Sequence, residues 1–420
     1  MNSDRRNFLK LAGLAAAGWA FPRPVSAATT APHVLVIGGG FGGATVAKYL
    51  KLWGGNIDVT LIDRSSSHYA CILSNLVITG AIPMDRIKLG YANLQSKRGV
   101  NFVQGEALAV DPVAREVTVN VGGTHYAYSY DKLVLSPGVE FTPPAGNYNA
   151  DLTPHAWKAG PQTLLLKQQL SAMTKSQTFV LTIPKSPYRC PPGPYERACS
   201  VADYLTRKKR GARIIVLDAN ASIQAEPVNF GNAFRGIYKN VLSYIPNATI
   251  LGVDSQAKSV TTSQGVFTGA VVNIIPTHRA GQIVTDAGLA NDPTGRWALV
   301  DPLSYASKVS PDIHILGDSQ GTGQPKSGHM ANSQAKVCAD AIIRAFNGEA
   351  PDPAPVTSSA CFSPITSSKA AWLTASFQYD PVTKAMKRVE ASFAEAAQPT
   401  SDGMQQMYQW ADNIFADSFS

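Results

Sequence analysis

The sequence contains no C-x-x-C-H, so the chain attaches no c-type haem of its own. Cysteine is scarce altogether. The five present (Cys71, Cys190, Cys199, Cys338 and Cys361) are too few for a disulfide-stapled scaffold and odd in number. Past the N-terminus no apolar run is long enough to cross a bilayer, so no transmembrane segment is expected. Charge is sparse as well, at 16% of residues. The formal net charge is +8, and residues 1–27 hold Arg5, Arg6, Lys10 and Arg23 against Asp4, which leaves +5 on the remainder. That balance is too diffuse for a nucleic-acid partner, although it mildly favours small anions. No metal site is expected. What is present is an ordinary globular chain, 420 residues with 45% apolar content, long enough for about two or three domains.

The N-terminus carries Ser3-Asp4-Arg5-Arg6-Asn7-Phe8-Leu9-Lys10, a twin-arginine signature, followed by a short apolar stretch from Leu11 to Phe21. Val25-Ser26-Ala27 then supplies a small-residue cleavage site. Residues 1–27 are therefore expected to be an export signal, not an anchor. This route carries folded proteins, so a cofactor loaded in the cytoplasm can travel with its chain. The mature protein is expected in the periplasm, where disulfides persist.

Val34-Leu35-Val36-Ile37 reads as a strand buried on both faces, and Gly38, Gly40 and Gly43 follow on the G-x-G-x-x-G spacing before a helical run to Leu50. Gly38 suits the tight turn, Gly40 the close approach of backbone to a pyrophosphate, and Gly43 the close packing of the helix. The helix N-terminus then faces the phosphates. A second strand, Val59-Thr60-Leu61-Ile62, ends at Asp63, twenty residues after Gly43, where a carboxylate accepts from an adenosine ribose. These residues specify a dinucleotide site.

Beyond Asp63, the loop Ser65 to Asn75 lies at a strand end, so Cys71 is placed either beside the far end of a dinucleotide or as a buried structural thiol. Leu133-Val134-Leu135 is a further buried strand, and Pro143, Pro144 and Gly146 mark a boundary. Phe179 to Ile183 and Arg213 to Asp218 resemble the first two strands of a second nucleotide-binding unit, with Asp218 in the acidic position. The turn between them is wrong for a dinucleotide. Pro184, Pro187, Pro191, Pro192 and Pro194 offer no N–H to phosphates and block close backbone approach. That turn carries Cys190 instead, and Arg189 and Arg197 nearby are expected to lower its thiol pKa. The alternative is a structural cysteine in a turn.

Residues 198–210 are expected to be helical, ending in a solvated Arg207-Lys208-Lys209-Arg210 run, and His278 and Arg279 are read as surface loop residues. Ile313 to Asp318 is a strand running into Gly-Asp, and Pro325-Lys326-Ser327-Gly328 opens a helix whose apolar stripe includes Cys338 as a core thiol. The chain closes on an amphipathic segment with Met404, Met407, Trp410, Ala411, Ile414 and Phe415, too poor in basic residues for a membrane-surface helix. It is read as packing on the body or on a partner.

Five stretches together resemble one family over essentially the whole mature chain. They are His68-Tyr69-Ala70-Cys71-Ile72-Leu73-Ser74-Asn75, Arg189-Cys190-Pro191-Pro192-Gly193-Pro194-Tyr195-Glu196-Arg197, Gly317-Asp318, Pro325-Lys326-Ser327-Gly328 and Tyr408-Gln409-Trp410-Ala411-Asp412-Asn413. The family is the flavoprotein subunit of flavocytochrome c sulfide dehydrogenase. The resemblance implies an α/β chain with two Rossmann-like, glutathione-reductase-like domains and a C-terminal α+β domain. It divides the chain into FAD-binding parts at 28–145 and 276–348, a second Rossmann-like domain at 146–275 lacking the NAD glycine loop, and a C-terminal domain at 349–420.

The resemblance also implies FAD held by Gly38, Gly40, Gly43, Asp63, Asp318, Ser327 and Gly328, and bonded through its 8α position to Cys71. Cys190 is implied to pair with Cys361 as a redox disulfide beside the flavin. Cys190–Cys199 is a local competitor, and Cys199 and Cys338 inherit no role. Hydrosulfide, a small anionic nucleophile, is the implied substrate. Glu196 is a candidate proton carrier or else a surface partner of Arg197 or Lys208, and Trp410 is read as a core aromatic. Electrons are implied to pass singly to a separate c-type cytochrome subunit. A sulfide:quinone oxidoreductase shares the fold, and a flavin-containing persulfide carrier could keep every cysteine named.

Overall fold

In the computed structural model, which describes residues 31–420, the first strand β1 (His33–Ile37) runs through the glycine turn into helix α1 (Phe41–Trp53). The expected export segment lies outside the described residues. Strand β2 (Asp58–Asp63) returns parallel to β1, with Val34 opposite Val59 and Ile37 opposite Ile62. The sheet continues through β3 (Asn101–Gln104) and β4 (Lys132–Leu135). Val34, Leu35, Val36, Leu133, Val134 and Leu135 are fully buried. Apolar residues on both faces of a parallel strand mean helices or loops cover the sheet on both sides.

The second unit is a four-stranded parallel sheet of β5 (Thr178–Ile183), β6 (Arg213–Asp218), β7 (Leu242–Ile245) and β8 (Val271–Ile274), in spatial order β7-β6-β5-β8. Between β5 and β6 lies helix α2 (Gly193–Lys208), and after β6 comes the short helix α3 (Pro227–Asn232). Helix α2 starts five residues before the expected 198. Pro194 sits in its first turn, where the missing N–H has no intrahelical acceptor to lose and the fixed φ suits the helix. The prolines that spoil a phosphate loop therefore also begin a helix, and they carry Glu196 and Arg197 onto it.

The chain then returns. Strand β9 (Ile313–Ile315) adds to the edge of the first sheet beside β4, giving the order β9-β4-β1-β2-β3. Helix α4 (Gly328–Phe346) follows, capped by the Ser327 hydroxyl, which accepts from the Met330 N–H at 3.1 Å. Helix α4 packs on α1. The C-terminal region is an antiparallel sheet built on the long pair β10 (Val356–Pro364) and β11 (Ala370–Asp380), in which Cys361 faces Leu373 across the ladder. Strands β12 (Ala385–Arg388) and β13 (Ala394–Glu395) pair with β11, and helix α5 (Ser401–Phe419) ends the chain.

Helix α5 buries Met404, Met407, Ala411, Ile414, Phe415 and Phe419 against the first unit. Its last turn is tied down by polar contacts. Asp417 accepts from Asn332 and pairs with Lys336 at 2.8 Å, and the Tyr49 hydroxyl donates to its other oxygen at 2.6 Å. The mixed α/β class with two parallel sheets and a C-terminal α+β region is the one expected from the sequence.

Candidate active site

The glycine turn makes the first half of the site. Gly38 has φ +97°, and a Cβ there would lie 2.4 Å from the Ser136 carbonyl oxygen. At Gly43 a Cβ would lie 1.8 Å from the Gly38 oxygen, so α1 packs directly on the turn it follows. Gly40 differs: its nearest protein neighbour would be His68 Cε1 at 3.5 Å, an ordinary contact. No protein atom requires a glycine there, and Gly40 lines a cleft of about 230 Å3. Asp63 also lines the cleft, with Oδ2 accepting from Gly39 N at 2.7 Å and Oδ1 from Ser65 N at 2.8 Å.

The cleft is also lined by His68, Cys71, Arg189, Asp318 and Gly328. His68 Nε2, Arg189 Nε and Asp318 Oδ1 are buried without a protein partner. Burial raises the Asp318 carboxyl and drops the His68 imidazole to about 4. Buried polar atoms left unpaired are costly, so they point to a polar group supplied from outside the chain. The turn, the acidic residue at its side and these unpaired atoms fit a dinucleotide flavin, and the open face of Gly40 fits its pyrophosphate.

The second half is a smaller cavity, about 60 Å3, walled by Cys71, Cys190, Glu196, Ser327, Cys361 and Trp410 among others. Three residues, Cys71, Arg189 and Gly328, border both the cavity and the cleft. The expected cofactor and redox positions thus meet at one place. Space of that size holds a few waters or a small sulfur anion.

All five cysteines are free thiols here. Cys71, Cys190 and Cys361 reach the cavity, whereas Cys199 and Cys338 are fully buried in apolar clusters. The competing partner Cys199 is absent from the cavity wall. Cys190 sits at φ +59°, its N–H donating to the Lys326 carbonyl at 2.6 Å. A Cβ on Gly193 would come within 2.8 Å of Cys190 Sγ, so the first residue of α2 leaves room for the thiol.

The expectation of a lowered Cys190 pKa is overturned. Burial pushes this thiol well above its ordinary value, and the fields of Cys361, Glu196 and Cys71 add to the shift. Arg189 opposes them without prevailing. Cys361 is pushed up to about 12 by burial and then by Glu226 and Glu196. In so buried a cavity the disulfide or neutral thiol is favoured over an isolated thiolate.

Glu196 is buried in the cavity wall, which overturns its reading as a surface partner of Arg197 or Lys208. Burial raises its carboxyl to about 7, against the pull of the Asn75 amide and the Arg197 guanidinium. Arg197 is also buried. Its Nε donates to Asn75 Oδ1 at 2.9 Å, and its terminal nitrogens donate to the carbonyls of His155 and Ala156 and to Asn273. The guanidinium lies over the Trp157 ring, 4.7 Å from its centroid.

His278 is a third correction. It is fully buried, and its Nδ1 accepts from Arg189 N at 2.9 Å, so it props the residue shared by cleft and cavity. Its strand neighbours gave no sign of this. Trp410, expected in the core, borders the cavity, and its Nε1 donates to His329 Nδ1 at 3.2 Å. Phe419, near the end of α5, stacks on His68 with ring centroids 5.7 Å apart.

The second unit's acidic position is already occupied by protein donors. Asp218 accepts from the hydroxyls of Tyr195 and Tyr244, from Asn220 N and from Asn220 Nδ2, all between 2.7 and 2.8 Å. It has no capacity left for a ribose.

Residues 163–276 match the family described as sulfide dehydrogenase (flavocytochrome c) flavoprotein chain, central. Residues 32–170 match that described as pyridine nucleotide-disulphide oxidoreductase. Among solved structures, the sulfide:quinone oxidoreductase of the hyperthermophilic bacterium Aquifex aeolicus superposes with a TM-score of 0.75 at 18% identity, covering 92% of each chain. A NAD-dependent persulfide reductase from A. fulgidus superposes at 0.63 and 14% identity, over 90% of this chain and 77% of that one. At these identities the likeness is one of fold. The type II NADH:quinone oxidoreductase NdhA of Mycobacterium tuberculosis is 31% identical over 109 residues, 26% of this chain and 23% of that protein. That of Staphylococcus saprophyticus is 30% identical over 109 residues, 26% of each. The match to these curated relatives spans about a quarter of their length.

Proposed function

Starting from a flavoprotein of the pyridine nucleotide-disulphide oxidoreductase fold with the central region of a flavocytochrome c sulfide dehydrogenase flavoprotein chain, we propose that this chain is a periplasmic sulfide:cytochrome c oxidoreductase subunit. The observation that carries the reading is the shared border: cysteines from two loops and a strand reach one small cavity, and Cys71 also borders the dinucleotide cleft. Hydrosulfide enters the cavity, drawn by Arg189 on its wall. It attacks one sulfur of a Cys190–Cys361 disulfide, the S–S bond breaks, and the products are a cysteine persulfide and a thiolate. Glu196, with a carboxyl near 7, exchanges the proton at this step. FAD, when bound, accepts the electron pair and can release it singly, which dithiols do poorly.

The other parts of the reading are proposals of the same kind. Gly38, Gly40, Gly43, Asp63, Asp318, Ser327 and Gly328 hold FAD, and Cys71 attaches it. A c-type cytochrome subunit takes the electrons. Residues 1–27 direct export through the twin-arginine route and are cleaved near Ala27. No helix among the described residues is long and apolar enough to cross a membrane.

Anaerobic titration of the purified protein with sulfide tests the reading. The yellow absorbance should bleach and should return with a c-type cytochrome faster than with a quinone. Peptide mapping of the oxidised protein should recover Cys190 and Cys361 in one linked pair. Bleaching by NADH and not by sulfide would sink the proposal.

A further inference from the structure

The C-terminal sheet meets the cavity along its edge. Among the described residues β10 pairs only with β11, so its other side presents backbone N–H groups that need acceptors. Helix α4 supplies them from side chains. The Ser358 N–H donates to the Ser333 hydroxyl at 3.0 Å, and the Ala360 N–H donates to His329 Nδ1 at 3.0 Å. A third contact joins the hydroxyls of Ser327 and Ser359, 3.2 Å apart. The start of α4 is thus tied at three points to the strand that carries Cys361.

One of these ties reaches further. His329 Nδ1 also accepts from Trp410 Nε1 on α5, at 3.2 Å. Two N–H donors from different elements converge on one ring nitrogen, which has a single lone pair to offer. Nδ1 therefore carries no proton, and the proton of the neutral ring sits on Nε2. Both donors belong to the cavity wall: Ala360 immediately precedes Cys361, and His329, Ala360, Cys361 and Trp410 all line the space. Trp410 also meets Phe362, with ring centroids 5.5 Å apart. The residues on both sides of Cys361 are thus referred to one imidazole, Ala360 directly and Phe362 through Trp410.

The surroundings keep that ring neutral. Lys336 on α4 and Asp417 on α5 act on it with opposite signs, and they pair with each other at 2.8 Å. Across the cavity stand Cys71, Cys190, Cys361, Glu196, Arg189 and Arg197. Burial is the largest influence and lowers the His329 pKa from its ordinary value. A proton added at Nδ1 turns the acceptor into a donor that faces two donors, so both bonds break together.

We propose that His329 is a positioning residue for the sulfide reaction: accepting from Ala360 and Trp410 through one nitrogen, it holds the Cys361 wall in place, and protonation of that nitrogen in acid releases the wall. The kinetic part of the inference rests on the sulfide reading. His329 itself transfers no proton, electron or sulfur.

The test uses the full, flavin-loaded chain. Asn carries Oδ1 as many bonds from the backbone as His carries Nδ1, so His329→Asn keeps an acceptor that does not titrate. His329→Phe keeps a ring and removes the acceptor. Reduction by sulfide at neutral pH should be about tenfold slower in His329→Phe, part of the loss that misplacement by about 1 Å brings. It should stay close to the wild-type rate in His329→Asn. In protein labelled at the indole nitrogens, the Trp410 magnetic resonance, assigned through Trp410→Phe, should move in the wild type as pH falls below about 6.5. In His329→Asn it should stay fixed. A His329→Phe protein with the wild-type rate overturns the proposal, and so does a Trp410 resonance that moves with acid in His329→Asn as it does in the wild type. Should His329→Phe not fold, the comparison of wild type with His329→Asn decides alone. Wild-type protein that sulfide does not reduce removes the sulfide reading, while the indole resonances still decide whether His329 holds the wall.

Discussion

The Tyr195 hydroxyl donates to Asp218 Oδ2 at 2.7 Å, and this bond converts a ribose-binding position into part of the core. In a working nicotinamide domain the carboxylate after the second strand is free for the ribose. Here α2 brings Tyr195 onto it, and the loop before α2 is rigid with proline. We expect no reduction of the flavin by NADH within the mixing time of a stopped-flow instrument. Tyr195→Phe should not create such an activity, because Tyr244 and Asn220 still occupy Asp218. It should cost about 1 kcal/mol of stability, the net worth of one buried hydrogen bond, read by urea unfolding.

Gly40 and Gly43 separate a packing role from a ligand role. Gly43→Ala drives a Cβ to 1.8 Å from backbone, which cannot move aside as a side chain can. The apoprotein should lose about 2 kcal/mol or more, and bound flavin with it. Gly40→Ala meets only His68 Cε1 at 3.5 Å, and Gly40 has an ordinary φ of −72°. Its apoprotein should unfold at the wild-type denaturant midpoint. Its flavin should nevertheless wash out on gel filtration, because the methyl group stands where the pyrophosphate approaches. Loss of stability in Gly40→Ala would mean the cleft is not the cofactor's seat.

Glu196 makes stability depend on pH in a defined direction. Its carboxyl is raised from 4.5 to about 7, chiefly by burial, so the native state binds the proton more tightly than the unfolded chain. The contribution is fully present below pH 4.5 and is lost as pH rises through about 7. The loss is on the order of 3 kcal/mol for a shift of this size. Glu226, raised to about 8, acts in the same sense. Glu196→Gln should flatten the fall between pH 5 and 8 in urea-unfolding series and be the more stable protein at the alkaline end. A variant whose stability falls as steeply as the wild type would place the Glu196 carboxyl in water.

The first unit was legible because its signals are local. Gly38 and Gly43 lie within one βαβ unit and each does in space what its spacing announced, and Asp63 in the same unit lines the cleft beside them. The proline-rich turn was legible as a departure from that pattern. What sequence adjacency could not supply was direction. Arg197, seven residues after Cys190, reads as a cation for the thiol, yet its guanidinium is spent on Asn75, Asn273 and two carbonyls. The cysteine is left to burial, and its pKa rises where neighbours in the sequence suggested a fall. His278 belongs to no motif. It acquires a role only when a distant segment, Arg189, folds onto it.

Cys71 gives the sharpest test of how the cofactor is held. It borders both the cleft and the cavity, beside Arg189 and Gly328, at the loop after β2. Burial and the Asp318 carboxylate raise its thiol, while Arg189 pulls the other way. A free thiol so placed is a poor nucleophile toward reagents in water, so modification of the apoprotein by iodoacetamide should be slow. If the sulfur is instead spent on a covalent bond to the flavin, acid precipitation of the wild-type protein should leave the yellow colour in the pellet. Cys71→Ala should release it to the supernatant. The substitution removes one partly buried sulfur from the edge of a core, so it should cost no more than about 1 kcal/mol, and the circular dichroism should be unchanged. Colour retained in the Cys71→Ala pellet would move the attachment to another residue and leave Cys71 as a wall of the cavity.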